Sequence, residues 1–483
     1  MACPAPGASI GPLSQVYWPP KMKTPDRYTF EKELGAPELK KYLSHPFTVA
    51  EGAIRLAVRF HYEPLQAEGQ NNLLTLSLFD PRGFRGTGHR NGPDQEVEIG
   101  FSLATPGYVA GEIPAGTWSA EVATHWFHPG LPCRYRLDIQ ICREDSPSAP
   151  ARKEMVWHQA GSRRRAGWFR GDLHAHTNHS DGEWDVEALV RNARSHRLDF
   201  IALTDHNTTS GLEEFGRYLA PDLLTIPAME STTYWGHALN LGVRRWLDWR
   251  VGLNGRTISH IFEETASASG LFIIAHPVDE EDALCAGCVW RYREIMPGPA
   301  HGVEIWNGQW NMMSEQSLSL WYEWLNRGCR IPATAGTDAH GPECYSNSLQ
   351  RNIAINYVKA DRLSQGEILE AIRRGRLYLS AGPRVELAGV DGGGNVLGMG
   401  DTLAAGVKGL EVIWQDCPGR ARFRLIADGK AQEEWTPAAS GRRSWSLGNP
   451  AYQWCTVELR AASGKMLTVT NPIYFTQPPS RRL

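Results

Sequence analysis

Up to about residue 160, apolar and polar residues alternate in short runs. Ala53-Ile-Arg-Leu-Ala-Val-Arg-Phe60 and Leu74-Thr-Leu-Ser-Leu-Phe79 put every second side chain on one face, and the second run ends in the turn signal Asp80-Pro-Arg-Gly83. Glu96 to Leu103, Trp118 to Ala123 and Tyr135 to Ile141 read the same way. Several short strands parted by Gly/Pro turns predict a β-sandwich over residues 1–160. The tract Ser146-Pro-Ser-Ala-Pro150 and the run Arg163-Arg-Arg165 then read as a linker.

From Trp168 to about Leu379 the period changes. Phe200 to Leu203, Leu223 to Ala228, Leu271 to Ala275, Val303 to Trp306 and Ile331 to Ala335 are short apolar runs of the kind buried in parallel sheets. Between the first of them and the run that precedes it lies Asp185 to Arg197, with Val186, Leu189, Val190 and Ala193 on one helical face. Repeated strand–helix units predict an α/β fold over residues 165–383, either a barrel or a doubly wound sheet. After Pro383 strands return, at Leu410 to Trp414, Ala421 to Ile426, Trp454 to Leu459 and Met466 to Thr470, which predicts a small C-terminal all-β domain over 384–483. No repeat at a solenoid period is present.

Composition narrows the function classes. A chain of 483 residues with 42% hydrophobic content can build several cores, and a net charge of -3 supplies no field that gathers nucleic acid or an anionic membrane. Met1 to Pro20 lacks the basic start and apolar run of a signal peptide, and nothing approaches a membrane-spanning stretch. Nine scattered Cys fit reduced thiols in a cytoplasmic protein better than a disulfide framework. Cys285 and Cys288 form one C-x-x-C, with no second pair at zinc-ribbon spacing.

The metal-capable residues concentrate in the middle region, each after an apolar run. They are His174 and His176, Asp181, His206, Glu230, His237, His276, and Asp338 with His340. Taken singly, each has a bland explanation: a lone His-x-His, a helix cap, a satisfied core histidine. Their shared placement argues otherwise, because the carboxyl ends of parallel strands converge on one rim. Burying so many ionisable groups together without an ion costs several kcal/mol. Imidazole and carboxylate without thiolate suit zinc, manganese or iron.

Asp172-Leu-His-Ala-His-Thr177, Ser180-Asp-Gly182, Leu203-Thr-Asp-His-Asn207, Glu230, Gly236-His237, Ala275-His-Pro277 and Gly336-Thr-Asp-Ala-His340 resemble, in order, the motifs of the PHP (polymerase and histidinol phosphatase) superfamily. Thr204-Asp-His-Asn207, with Tyr378-Leu-Ser-Ala-Gly-Pro383 downstream, is similar to the CehA/McbA-like branch, which includes carbamate-ester hydrolases; a weaker similarity falls at Thr470-Asn-Pro-Ile-Tyr474. The resemblance implies a distorted (β/α)7 barrel holding two to three divalent ions. His174, His176, Glu230 and Asp338 would hold the first, and Glu230 would bridge to a second bound also by His237 and His276. Asp181, His206 and His340 would hold the third.

Two close ions acidify a shared water, and a third neutralises charge on a reacting ester. The expected activity is therefore hydrolysis of a phosphomonoester or phosphodiester, with carboxylic or carbamic ester hydrolysis as the alternative. Arg170, His179 and Asn207 flank the motifs and are candidates to touch substrate oxygens, although Arg170 could instead pair with a carboxylate. Asp205 reads as a residue that orients a ligand. Trp235, Trp306 and Trp310 could wall an aromatic pocket, with Trp306 better read as core. The expected partner is a small ester or phosphoester, with nucleic acid disfavoured and no membrane. A different class of reading gives the lead to the β-domains, as a binding module, a homo-oligomer interface or a cover over the barrel. Glu280 to Pro299 could form a lid or an ordinary connection.

Overall fold

The computed structural model describes residues 26–143, 166–279, 287–296, 298–342, 352–391, 393–403, 409–446 and 452–475. The expected linker, the first twenty residues, Cys285 and most of the stretch from Glu280 to Cys288 lie outside the described residues.

The N-terminal part is a sandwich of two four-stranded antiparallel sheets. One contains Asp26–Leu34, Cys133–Cys142, Arg55–Glu63 and Asp94–Gly100 in that order, and the other Tyr42–Val49, Gly116–Trp126, Leu73–Asp80 and Gly83–Gly88. Leu74, Leu76, Leu78, Trp118 and Val122 meet Val58, Phe60, Leu137 and Ile139 between the sheets. The alternation in the sequence fixes that face, yet the opposite face of the second sheet is not wet. Thr75, Ser77, Glu121 and His125 are also buried, because the middle region covers them. Phe84 stacks on Trp246 at 4.3 Å and Tyr42 on Tyr234 at 4.7 Å. Arg250 Nη1 pairs with Glu121 Oε2 at 2.9 Å across the same boundary.

The middle region and part of the C-terminal region share one 15-stranded sheet. Gly167–Asp172, Phe200–Leu203 and the start of Leu224–Thr233 run parallel, as expected. A tight hairpin then turns Gly236–Leu241 back antiparallel to Leu224–Thr233, and Leu271–Ile274 pairs antiparallel with Gly236–Leu241 before Gly302–Asn307 and Ala333–Gly336 resume parallel pairing. The sheet is therefore mixed, which corrects the all-parallel expectation: His237 stands on a return strand and not after a crossover. The barrel expectation is corrected too. Among the described residues the ladder of strands does not close, and Ala333–Gly336 reaches the Gly167–Asp172 side only past the strand ends, through the single bridge Ala175–Ala339.

Helices cover the sheet where their apolar faces match it. Val186–Ser195 starts at Asp185, whose carboxylate accepts from Ala188 N at 2.7 Å, and buries Val186, Leu189, Val190 and Ala193. Met312–Asn326 is capped by Asn311 and buries Leu318, Trp321, Trp324 and Leu325. Trp306 and Trp310 are buried against each other, so both belong to the core. Trp235 is partly exposed beneath the Lys40 ammonium.

Leu377–Ser380 pairs with Ile355–Ala360 on one side and with Met466–Thr470 on the other, so the ladder continues into C-terminal strands. The Thr470-Asn-Pro motif has a local purpose: the Asn471 amide bonds Ala333 N and O and Leu377 O, tying the starts of two strands that do not pair with each other in the sheet. No helix among the described residues is long and apolar enough to cross a membrane. The described cysteines other than Cys288 are free, whereas Cys288 is disulfide-bonded, which corrects the expectation of reduced thiols throughout.

Candidate metal centre

All nine predicted ligand residues converge. His174 and His176 follow Gly167–Asp172 and point the same way, as alternate residues of an extended chain do. Glu230 lies inside Leu224–Thr233 and is wholly buried. His276 and Asp338 leave their strands at positive φ, 27° and 51°, as does Asn207 at 58°. Non-glycine residues in that region are strained, and such strain concentrates at functional sites.

Glu230 organises the site by dividing its two oxygens. Oε2 faces His174 Nε2 at 3.3 Å, His176 Nε2 at 3.4 Å and His206 Nδ1 at 2.9 Å. Oε1 faces His237 Nδ1 at 3.1 Å and His276 Nε2 at 3.4 Å. Asp338 Oδ1 closes the first side, 2.9 Å from His176 Nε2 and 3.3 Å from His174 Nε2. A further group forms around Asp181, whose Oδ1 is 3.2 Å from His340 Nε2 and 3.5 Å from His206 Nε2. His176 sits between the groups, its ring stacked on both His206 and His340.

These residues fit bound cations. His176 Nδ1, His237 Nε2 and His276 Nδ1 are buried without a hydrogen-bond partner, and Asp181 Oδ1 and Glu230 Oε1 face imidazoles without forming a well-aligned bond. Unmet polar atoms in such number at one place are rare in folded proteins unless an ion or water completes them. Ligand atoms of His176, Asp181, His206 and His340 lie within 4.8 Å of one another, as do those of His174, His176 and Asp338, and of His174, Glu230 and His276.

The electrostatics point the same way. Burial opposes the charged form of His276, but Glu230, Glu304 and Asp338 outweigh it and raise the ring to about 9. For His340 burial is outweighed by Asp181 and Asp338, reaching about 10. Burial would also raise Glu230 and Asp181, yet the surrounding imidazoles hold both well below the carboxylate range. His176 goes the other way, to about 4, through burial and the neighbouring His206 and His340. At pH 7 the metal-free protein thus carries protons on His276 and His340, and a ring must lose its proton to ligate. Metal loading is expected to release protons at pH 7 and to tighten as pH rises toward 9. Calorimetric titration in two buffers of different ionisation enthalpy counts them; zero release would remove His276 and His340 from the ligand set.

The three predicted substrate contacts are placed differently from one another. Asn207 accepts from Thr232 N at 2.8 Å and donates to Thr232 O at 3.0 Å, so its amide ties the loop to the Glu230 strand. His179 Nδ1 is 2.7 Å from Ser210 Oγ and accepts from Gly107 N at 3.3 Å. Arg170 lies over the Tyr357 ring, its backbone bonded to Asp199, away from the gathered ligands. Asp205 accepts from Thr177 N, Thr177 Oγ1 and Ser180 Oγ, which fixes the loop that delivers Asp181.

One neighbour of the centre, Glu304, escaped the sequence reading, and a second, Cys288, was noted there only as part of a C-x-x-C. Glu304, wholly buried within Gly302–Asn307, accepts from His276 N and faces His174 Nδ1 at 3.1 Å, so it orients His174 from behind. Its signal was a lone carboxylate in the apolar run Val303-Glu-Ile-Trp306. Cys288 Sγ lies 3.8 Å from His237 Nδ1, and Cys288 groups with His237 and His276. A cavity of about 50 Å³ opens beside His276 and Glu304.

Histidines and carboxylates gathered around one central glutamate form a set of candidate metal-binding clusters. Residues 172–235, which contain five of the nine candidate ligands, match the PHP domain family. The chain is 45% identical over 69 residues to the 5'-3' exoribonuclease Rnm of Escherichia coli, and 44% identical over 69 residues to that of Salmonella typhimurium. Each match covers 13% of this chain and 23% of the relative, so the chain spans under a quarter of the curated relatives it matches. A two-domain protein from Bacteroides vulgatus, described as containing a predicted PHP-like metal-dependent phosphoesterase, is similar at 16% identity and a TM-score of 0.41, covering 67% of this chain and 100% of its own. An amidohydrolase from Chromobacterium violaceum is similar at 16% identity and a TM-score of 0.27, covering 36% of this chain and 88% of its own.

Proposed function

We propose that this chain is a metal-dependent hydrolase of phosphoesters, with residues 165–383 as its catalytic unit. The observation that carries the reading is the division of Glu230 between two groups of buried, incompletely bonded imidazoles, with the Asp181 group alongside. His174, His176, Glu230 and Asp338 would hold one ion, Glu230 with His237 and His276 a second, and Asp181, His206 and His340 a third. Bound divalent ions supply a Lewis acid and a nucleophile at neutral pH. The chain's own groups do the rest. Glu304 holds His174 in register, Asp205 fixes the Asp181 loop, and Asn207 ties that rim to the Glu230 strand.

A small phosphoester is the first substrate class, because the net charge of -3 gathers no polyanion. The partial likeness to an exoribonuclease adds a short oligoribonucleotide to the panel, and the Tyr378–Pro383 motif adds an aryl or carbamic ester. The test is elemental analysis of the full chain with turnover of bis(p-nitrophenyl) phosphate, p-nitrophenyl phosphate, p-nitrophenyl acetate and the oligonucleotide, for wild type and His176→Ala. Two to three ions per chain, and phosphoester turnover lost in the variant, is the expected result. Acetate turnover alone would move the substrate to carboxylic or carbamic esters. A protein that neither takes up manganese, iron or zinc nor turns over any substrate would end the enzyme reading.

A further inference from the structure

The covered face of the N-terminal sandwich brings its own side chains to the centre. His89 follows the strand Gly83–Gly88 and is only 4% exposed, with its ring centroid 4.5 Å from that of His206. Its Nδ1 is buried and has no hydrogen-bond partner. Behind it stands His125, ring centroid 5.2 Å away, whose Nε2 meets Thr75 Oγ1 at 3.1 Å. Two residues on, Asn91 Nδ2 lies 3.5 Å from Asp181 Oδ2. Between them Arg90 is steered by one bond, Nη2 to Pro106 O at 2.6 Å, and the carboxylates its charge senses include Asp205 and Asp181. The adjoining Gly107 locks the two regions together, its N–H reaching His179 and Ser210 and its carbonyl accepting from Thr208 Oγ1 at 2.8 Å.

We propose that the segment His89-Arg90-Asn91 is the substrate-binding wall opposite the ligand residues, and that it takes the anionic oxygens of a phosphoryl group. The three side chains are an imidazole, a guanidinium and a carboxamide, all able to donate, and the run itself contains no carboxylate, while Asn91 also faces Asp181, one of the candidate ligands. A neutral carbamate or carboxylic ester would have no use for the guanidinium, whereas a phosphoryl group accepts charge-assisted bonds from such a donor. The sandwich is then half of the active site and not a separate binding module. The inference rests on the phosphoesterase reading and specifies where its substrate sits.

The test uses the full-length, metal-loaded chain, with Arg90→Ala, Arg90→Lys, His89→Ala and Asn91→Ala, the last altering an exposed side chain. Elemental analysis, calorimetric binding of inorganic phosphate and the KM for bis(p-nitrophenyl) phosphate are read for each. Metal content is expected to hold. Phosphate affinity should fall and KM rise by roughly 10–100-fold in Arg90→Ala, the range for losing a hydrogen bond to a charged group, with partial recovery in Arg90→Lys and a smaller loss in Asn91→Ala. Wild-type hydrolysis with unchanged phosphate affinity and KM in all four variants would overturn the wall alone. Loss of metal in Arg90→Ala and His89→Ala, with Asn91→Ala unaffected, would also overturn it, making the segment a support for the ligands. A wild type that neither binds phosphate nor cleaves a phosphoester would overturn the parent reading and this one with it.

Discussion

Glu230→Gln is expected to leave the protein folded but nearly devoid of bound metal and of turnover. The substitution keeps the shape of the side chain and removes its charge, so packing inside Leu224–Thr233 is preserved. What disappears is the anion shared by His174, His176 and His206 on one oxygen and by His237 and His276 on the other. Losing a residue that merely orients a ligand lowers affinity or activity roughly 10–100-fold. Loss of the group that joins two sets of ligands should exceed that range for both. Metal content by elemental analysis, with phosphoester turnover on the same sample, checks it. A variant that retains its ions and its rate would mean that Glu230 is not the bridge.

Arg250→Ala should carry the largest stability penalty of any single change at the boundary between the sandwich and the middle region. Arg250 bonds Glu121 at 2.9 Å and grips Asp248 through Nε and Nη2, while its guanidinium lies 4.2 Å from the Phe79 ring centroid. Glu121 is buried, and Asp248 keeps a depressed pKa despite its burial because Arg250 bonds it. Removing the cation strands two carboxylates together. Breaking a buried pair in this way costs about 3–5 kcal/mol. Chemical denaturation of the full chain reads that loss, and a change below about 1 kcal/mol would show that water reaches the pair and screens it.

The convergence of the candidate ligands was legible because most of them stand at or shortly after the end of an apolar run and strand ends share a rim, whereas Glu230 inside its strand and His237 on the return strand join them from other positions. Glu304 was not, because a carboxylate inside an apolar run has no partner within reach along the sequence; His174, which it serves, arrives from 130 residues away. Period-two alternation located five of the eight sandwich strands to within a few residues and missed Asp26–Leu34, Tyr42–Val49 and Gly83–Gly88, and it reports only that one face is apolar. Thr75, Ser77 and His125 look solvent-facing in the sequence and are covered in the fold. His89-Arg90-Asn91, which carries no metal-ligand motif, drew no reading for the same reason. The return strand Gly236–Leu241 was hidden for a related reason: a buried antiparallel pair and a buried parallel strand have the same apolar content, and only the connection tells them apart.

The clasp made by Asn471 has a consequence for the order in which the chain matures. The strand Ala333–Gly336 leads directly to Asp338 and His340, and Asn471 holds its start beside Leu377. During synthesis every ligand residue has left the ribosome long before that asparagine exists, and one flank of Leu377–Ser380 stays open until Met466–Thr470 arrives to pair with it. Such distant pairings close slowly. A nascent chain therefore carries all the candidate ligand side chains while the sheet that aims them is still unfinished.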